Sequence, residues 1–444
     1  MQQYEYVIFG LGATGISCAD YLKSQGYRFV VTDTRVTPPG LVAFQEKYPD
    51  APFIAPPWKP DSFSTEARFL VSPGLELRQP IFQAARARHQ LIGDVGLFAE
   101  AATAPIVGIT GSNGKSTVTT MVQHIAAQLQ LAVAVGGNLG TPALALLKEP
   151  QPKFFVLELS SFQLDLCDKL PLHCACNLNV TPDHLDRYND FSAYQQSKHS
   201  IYHNAKHWVV NLDAPESMPK LIPEGAMTFS IYPETGALFT VRTVAGLQYL
   251  YEGEQRLISV GDLPFTQPHV LSNCLAALAI TATLGLSREA AAQCLMTYQA
   301  LPYRCHVMGK FVDRIWINDS KATNTGAVIA ALNSLSEQYP NPLVILGGAP
   351  KNENYQVLAP VLRSSQGVVL YGQAAEIIER DLIQAGLTIP MHRCQSLKEA
   401  VSLAYAFSQP HSAVILSPAC TSLDQHRNYA HRGQEFTQLV QELK

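Results

Sequence analysis

Gly111, Gly114, Lys115 and Ser116, inside the segment GITGSNGKST (Gly108 to Thr117), have the types and order that hold a polyphosphate. Such a site needs converging backbone N–H groups, glycines that let the chain approach, a helix N-terminus facing the charge and a lysine for the outer phosphates. Ser112, Asn113 and Thr117 complete the run, so Gly111 to Thr117 is the candidate ATP-phosphate loop. Phosphate loops commonly carry a glycine five residues before the second one; here Ile109 stands there, which points to a subtype.

A second apolar run, FFVLELSSFQ, delivers Glu158 at its end. Magnesium takes hard oxygen ligands and keeps several waters, so Ser116 with Glu158 is a plausible partial set. Farther on, NLNVTPDHLDRY gathers Asp183, His184 and Asp186 in a loop, where a metal or a ligand phosphate can be addressed, although a loop histidine is ordinarily a surface residue. Lys198 lies beyond it on a polar, helix-like segment and by type alone is an exposed lysine.

Near the N-terminus Gly10, Gly12 and Gly15 spell G-x-G-x-x-G after the run VIFG, and Asp33 closes the next run. At face value this is a dinucleotide fingerprint. No acid–base constellation for hydride transfer accompanies it. A second reading has the turn, with Thr14, cradle the pyrophosphate of a nucleotide-linked substrate, with Thr34, Arg35, Ser72 and Gly74 at neighbouring strand ends. A third has it serve only close strand–helix packing.

Positioning these residues takes strands that end in turns. Short apolar runs bounded by Gly, Pro, Asp or Asn alternate with helical-period stretches, among them RFVVTD, RFLVSPG, PIVGIT, PLVILGG, GVVLYG and SAVILSP. That alternation predicts an α/β fold of parallel-sheet units, whose strand carboxyl ends bind ligands. Residues Val118, Met121, Val122, Ile125, Ala126 and Leu129 recur at helical spacing, placing Lys115 and Ser116 in a first helical turn. Between Tyr232 and Leu263 the alternation in YLYEGEQRLISV predicts a small antiparallel meander.

At 444 residues the chain exceeds one ordinary core, and about 150 residues per domain suggests several. Three are expected, spanning residues 1–93, 94–300 and 301–444. A net charge of −4 without charged blocks advertises no nucleic-acid or membrane partner, and no apolar run approaches a membrane span. The N-terminus runs straight into a strand, so the expected location is the cytoplasm. The nine cysteines lack zinc or C-x-x-C spacing and read as reduced thiols.

The loop TGSNGKST, Glu158, NVTPDHLDRY with Lys198, and NDSKATN (Asn318 to Asn324) together resemble the Mur ligases, which use ATP to add amino acids to the nucleotide-linked precursor of peptidoglycan. The likeness extends from LGATG, through SPG and GGN, to SPACTSLDQHRNYAHRGQEF, and that last stretch is most similar to the glutamate-adding members. It implies a Rossmann-like N-terminal domain for UDP, a central P-loop-type ATPase domain and a Rossmann-like C-terminal domain for the amino acid. It also implies a monomer using ATP, UDP-N-acetylmuramoyl-L-alanine and D-glutamate, with two magnesium ions.

Carried over by motif, Lys115 and Ser116 would hold phosphates and a magnesium with Glu158, while His184 and a carbamate on Lys198 would serve the second magnesium. Asn273, Arg304 and Asp319 would contact ATP. Gly12, Thr14, Gly15, Thr34, Arg35, Ser72, Gly74 and Asn138 would contact the UDP substrate. Lys321, Thr323, Lys351, Ser422, Leu423 and Tyr429 would line the D-glutamate site. Val270, Tyr303, His306 and Pro350 stand where the family commonly has Asn, His, Glu and Asp.

Overall fold

Runs such as Ile106–Thr110 (IVGIT) and Leu343–Gly347 (LVILG) are apolar nearly throughout, the composition of strands covered on both faces, and every residue of both is buried. The computed structural model describes residues 4–59, 62–167, 169–185, 187–351 and 353–443. It contains three sheets, and the α/β class expected from the sequence holds throughout.

The N-terminal sheet has five parallel strands in the order Phe53–Ile54, Phe29–Thr32, Tyr6–Phe9, Arg68–Val71 and Leu91–Ile92. Its order reverses at the central Tyr6–Phe9 strand. The glycine turn of residues 10–12 follows that strand directly, at the switch point where open α/β sheets place ligands.

The central sheet has nine strands. Ile106–Thr110 lies between Leu172–Asn177 and Phe154–Glu158, and Val133–Gly137 forms the edge beyond the latter. The parallel register sets Ile109 opposite both Cys176 and Glu158. The end of the phosphate-loop strand is thereby flanked by a carboxylate on one side and the strand leading to Asn179 on the other. At the opposite edge Phe239–Val244, Leu247–Glu252 and Gln255–Ser259 form the antiparallel meander that the alternation predicts.

The C-terminal sheet runs His306–Phe311, Arg314–Asn318, Ala413–Ala419, Leu343–Gly347, Gly367–Tyr371 and Met391–Cys394, with only the first strand antiparallel. Several of its helices start where short polar side chains take up backbone donors left open in the first turn. Asn324 accepts from the N–H of Ala327 ahead of Thr325–Leu335, and Asn428 from that of His431 ahead of Tyr429–Gln441.

By internal packing the chain divides into two compact units. The first comprises Met1–Val180, Ser192–Leu263 and Ser272–Thr297; the second comprises Thr181–Phe191, Pro264–Leu271 and Tyr298–Lys444. One core in the first unit runs from Ile8, Leu22 and Val31 of the N-terminal sheet to Phe98, Phe155 and Leu157 near the central one. There Phe98 and Phe155 meet edge to face at 4.9 Å, a pairing that adds about 1 kcal/mol to the burial of its rings. In the second unit, cores lie on both faces of the sheet, one around Ile317, Leu346 and Leu370 and one around Trp316, Ile345 and Phe436. All nine cysteines are free thiols, five of them buried. No helix among the described residues is long and apolar enough to cross a membrane.

Candidate functional site

The loop between Thr110 and Lys115 turns on two glycines. Gly111 has φ +146° and Gly114, which precedes the helix Lys115–Gln128, has φ +84°. L side chains rarely adopt either, and a Cβ on Gly114 would come within 2.6 Å of Asn273 Oδ1. Ile109, at the position where many phosphate loops keep a glycine, is a fully buried strand residue, so the conformational freedom resides in Gly111 instead. Asn273 is thus brought against the loop.

A single asparagine braces the loop. The Ser112 N–H donates to the Asn179 carbonyl at 2.8 Å, the Asn113 N–H to Asn179 Oδ1 at 2.9 Å, and Asn179 Nδ2 donates back to the Asn113 carbonyl at 3.1 Å. Ser112 Oγ lies 2.9 Å from the Tyr194 hydroxyl. The Lys115 ammonium donates to the carbonyls of Gly111 at 2.6 Å and Ser112 at 3.0 Å. Ser116 is buried and Thr117 half-buried in the same first turn.

Lys198 departs from what its type suggests. On the helix Phe191–His199 it is almost fully buried, with Nζ donating to the Gly111 carbonyl at 2.9 Å and lying 5.0 Å from the Tyr194 ring centroid. Burying a lysine is expensive unless its head is paired, and here the Gly111 carbonyl supplies a partner. Neither Tyr194 nor Asn179 was singled out by motif. Asn179 lies within the conspicuous NLNVTP stretch, whereas nothing local distinguishes Tyr194.

Glu158, also nearly fully buried, accepts from Asn138 Nδ2 at 2.6 Å, while the Asn138 N–H donates to the Glu158 carbonyl at 2.8 Å. The expected metal ligand and an expected substrate contact therefore hold one another. The Glu158 carboxylate and Ser116 hydroxyl are hard oxygen donors, which suits Mg²⁺. Among the described residues no group of three or more His, Cys, Asp or Glu side chains is poised to hold a metal.

Asn138 also lines a cavity of about 420 Å³ together with Gly12, Thr14, Thr34, Arg35, Ser72 and Gly74. Seven of the eight residues expected at the UDP substrate thus share one cavity. Gly15 does not line it. It sits in the helix Ala13–Ser24, where a Cβ would overlap the Gly10 carbonyl oxygen, so its part is close helix–strand packing. Asp33 accepts from the Leu11 N–H at 2.8 Å and from Arg35 Nε at 2.8 Å. Burial by itself would raise this carboxyl, but the Arg35 side chain and the two backbone donors outweigh it and lower the pKa to about 2.

The remaining expected residues belong to the second unit. Asp319 is buried, accepting from the Cys305 N–H at 3.1 Å and from Ser417 Oγ at 2.8 Å, and burial pushes its pKa up to about 6. Arg304 is close enough for its charge to act on Asp319 and on His269, whose pKa burial and then Arg304 lower to about 4. Lys321 Nζ stands 3.8 Å from the Tyr429 ring centroid, a cation–π contact. Lys351 Nζ donates to Asp183 Oδ1 at 3.0 Å, and Asn324 Nδ2 donates to Asp183 Oδ2 at 3.1 Å. Although burial alone would raise Asp183, Lys351 and then His184 hold it below the usual carboxylate range. Ser422 is buried and Thr323 half-buried, whereas Leu423 is 69% exposed.

His184, with φ +57°, has its Nε2 3.6 Å from Asp183 Oδ2 and belongs to the second unit, whereas Ser116, Glu158 and Lys198 belong to the first. Asp186 lies outside the described residues. Arg432 is fully buried and joins two loops of this unit: its guanidinium donates to the carbonyls of Ser320 at 2.8 Å, Cys420 at 3.1 Å and Thr421 at 3.2 Å, and to Ser320 Oγ at 3.0 Å. Its motif is visible in the sequence, but its bridging role is not.

The sequence matches the descriptions "Mur ligase MurD-like, N-terminal domain" over residues 4–93, "Mur ligase middle domain" over 109–281 and "Mur ligase, glutamate ligase domain" over 303–420. The chain belongs to the Mur ligase family. As a Mur ligase it has the three-domain α/β architecture of that family, and it is an ATP-dependent ligase of peptidoglycan precursor synthesis. Proteins named UDP-N-acetylmuramoylalanine–D-glutamate ligase are similar over nearly its whole length. That of Nitrosococcus oceani is 40% identical over 98% of this chain and 96% of its own, and that of Marinobacter nauticus 41% identical over 98% of each. Among solved structures, the UDP-N-acetylmuramate-alanine ligase of Thermotoga maritima shares the fold, with a TM-score of 0.63 at 18% identity over 100% of both chains. A bifunctional folylpolyglutamate synthase/dihydrofolate synthase of Yersinia pestis has a TM-score of 0.58 at 19% identity, over 78% of this Mur ligase and 92% of its own chain.

Proposed function

We propose that this ligase joins D-glutamate to UDP-N-acetylmuramoyl-L-alanine in the cytoplasm, using ATP and Mg²⁺. The observation that carries the reading is identity of about 40% across 98% of the chain with relatives bearing that name. The domains take the boundaries 1–93 for the UDP substrate, 94–300 for ATP and 301–444 for the amino acid.

A carboxylate is a poor electrophile because its charge is delocalised; transfer of the γ-phosphoryl group of ATP to it, with ADP leaving, gives an acyl phosphate, and attack by the amine then forms the amide and expels phosphate. The chain's part is positioning and electrostatics. The Gly111 to Thr117 backbone and Lys115 cradle the phosphates, with Asn273, Arg304 and Asp319 on the nucleotide. Ser116 and Glu158 would hold one Mg²⁺, and His184 and Lys198 would each serve a second, Lys198 as its carbamate. Bound Mg²⁺ supplies charge neutralisation on the transferred phosphoryl group. Gly12, Thr14, Thr34, Arg35, Ser72, Gly74 and Asn138 hold the UDP portion, which is supported by the cavity they share. Lys321, Thr323, Lys351, Ser422, Leu423 and Tyr429 receive D-glutamate, whose two carboxylates call for two cations, and Lys321 and Lys351 supply them. An NAD-dependent reading of Gly10 to Gly15 is set aside because the chain belongs to a family of ATP-dependent ligases.

The test is phosphate release with ATP, Mg²⁺ and UDP-N-acetylmuramoyl-L-alanine, scanned over D-glutamate, L-glutamate, L-lysine and diaminopimelate. Release that depends on D-glutamate is expected. Equal or greater release with another amino acid overturns the substrate assignment.

A further inference from the structure

Three loops of the second unit carry the residues proposed to receive glutamate: 318–324 with Lys321 and Thr323, 347–353 with Lys351, and 417–423 with Ser422. Their spacing must be held, because an amino acid with two carboxylates fits two anchors only at one separation. The second and third loops are joined through backbone. The Ala349 N–H donates to the Thr421 carbonyl at 2.9 Å, and the Thr421 N–H returns a bond to Ala349 at 3.2 Å. The first and third are joined by Arg432, which reaches Ser320 and Cys420.

Side chains tie the first loop and the helix start after it to the second loop. Asp183 accepts from Lys351 on one oxygen and from Asn324 on the other. The other tie is Glu353, whose Oε2 accepts the Thr325 N–H at 2.7 Å. Thr325 opens the helix Thr325–Leu335, and its N–H is among those no intrahelical carbonyl can reach. Glu353 therefore completes the helix start from a different loop, two residues beyond Lys351, while Asn324 takes the N–H of Ala327 in the same turn. Lys351, through Asp183, and Glu353, directly, thus fasten their loop to the 324–325 turn.

The geometry points to Glu353 as a positioning residue for amino-acid selection: by fastening the Lys351 loop to the helix start after Lys321 and Thr323, it sets the separation of the two lysines and so the length of amino acid that fits. This rests on the D-glutamate reading above. Glu353 is costly where it stands. Burial, and then the neighbouring Asp183, push its pKa up to about 7. A half-buried carboxylate kept beside another carboxylate is poorly explained by stability. A neutral side chain that still accepts the Thr325 N–H would avoid that cost while keeping the tie.

The experiment measures steady-state KM for D-glutamate, ATP and UDP-N-acetylmuramoyl-L-alanine, and the preference for D-glutamate over D-aspartate, in wild type, Glu353→Ala and Glu353→Gln. Glu353→Ala is expected to raise KM for D-glutamate about tenfold and to narrow the preference for it, with the other two KM values within about twofold. Glu353→Gln, which keeps an acceptor oxygen, stays within about threefold of wild type. Should Glu353→Ala not fold, Glu353→Asp, one methylene short, carries the same expectation in its place. A D-glutamate-dependent wild type whose Ala or Asp variant keeps its KM and preference overturns the inference alone, as does a variant in which all three KM values move together. A wild type indifferent to D-glutamate overturns the substrate reading and the inference with it.

Discussion

The phosphate loop and the amino-acid loops solve the problem of holding a charged ligand in different ways. The first is local. Strand Ile106–Thr110, four loop residues and helix Lys115–Gln128 follow one another in the chain, and the groups that would meet phosphate are mostly backbone N–H. The second is assembled from segments far apart in sequence, Asp183 to Tyr429, and held by side chains: Asp183 bonds those of Lys351 and Asn324, while Glu353 and Arg432 bond the backbone of neighbouring loops. A local site tolerates change around it provided the turn survives. An assembled one depends on each tie, and a lost tie leaves buried donors or acceptors unsatisfied.

The largest effect falls on the local site. Lys115→Ala should lower the rate of ATP-dependent phosphate release by roughly a thousandfold or more with little change in melting temperature, since the turn rests on Gly111, Gly114 and Asn179. Near-normal turnover would remove the loop from the mechanism. Lys198→Ala should fall nearly as far, on the order of a hundredfold, and short carboxylates added in solution should restore part of the rate if a carbamate acts there. Wild-type activity in that variant would end the role proposed for Lys198.

For the assembled site the prominent loss is stability. Arg432→Ala removes a buried cation that satisfies three carbonyls and a hydroxyl, and should cost about 3 kcal/mol in chemical denaturation while leaving nucleotide binding by the first unit intact. A change below about 1 kcal/mol would show the loops to be held by other means.

Asp319 offers a contrast with Asp33. Both close strands near a proposed nucleotide, yet they are shifted in opposite directions, to about 6 and about 2. Between about pH 4 and 6 folded Asp319 keeps a proton that the unfolded chain has lost. Its contribution is present below the unfolded pKa and is lost as pH rises through about 6. Asp33 contributes above its unfolded pKa and loses that contribution as pH falls toward 2. Asp319→Asn should therefore gain on wild type from pH 4 to pH 7, by on the order of 2 kcal/mol, in nucleotide-free melting curves. Parallel curves would refute the raised pKa. The smallest effect is expected at Leu423, which is largely exposed: Leu423→Ala should alter stability by less than about 0.5 kcal/mol while raising KM for D-glutamate about threefold. An unchanged KM would take Leu423 out of the amino-acid site.

Much of the fold was legible in the chain itself. IVGIT, LVILG and AVILSPA are strands because apolar runs bounded by turns can bury both faces, and the residues from Val118 to Leu129 form a helix because their spacing gives one apolar side. The phosphate loop was legible for the same reason, since its parts and their order lie within ten consecutive residues. The glycine triplet was legible only in part. Its spacing is the same whether a glycine meets a ligand or a carbonyl, and only packing shows that Gly12 lines the cavity while Gly15 clears Gly10.

What sequence alone determined, then, was whatever depends on neighbours along the chain: strand and helix periods, turn chemistry, helix caps and the contiguous phosphate loop. Tertiary structure decided what depends on neighbours across it. Lys198 reads as an exposed lysine until its helix is seen to bring it against Gly111, and Glu353 and Arg432 have no visible partners until their loops meet. The physical reason is that periodicity reports only which face of an element is covered. Which group lies opposite which is set by the packing of segments far apart in the chain, from 28 to 112 residues in these three cases.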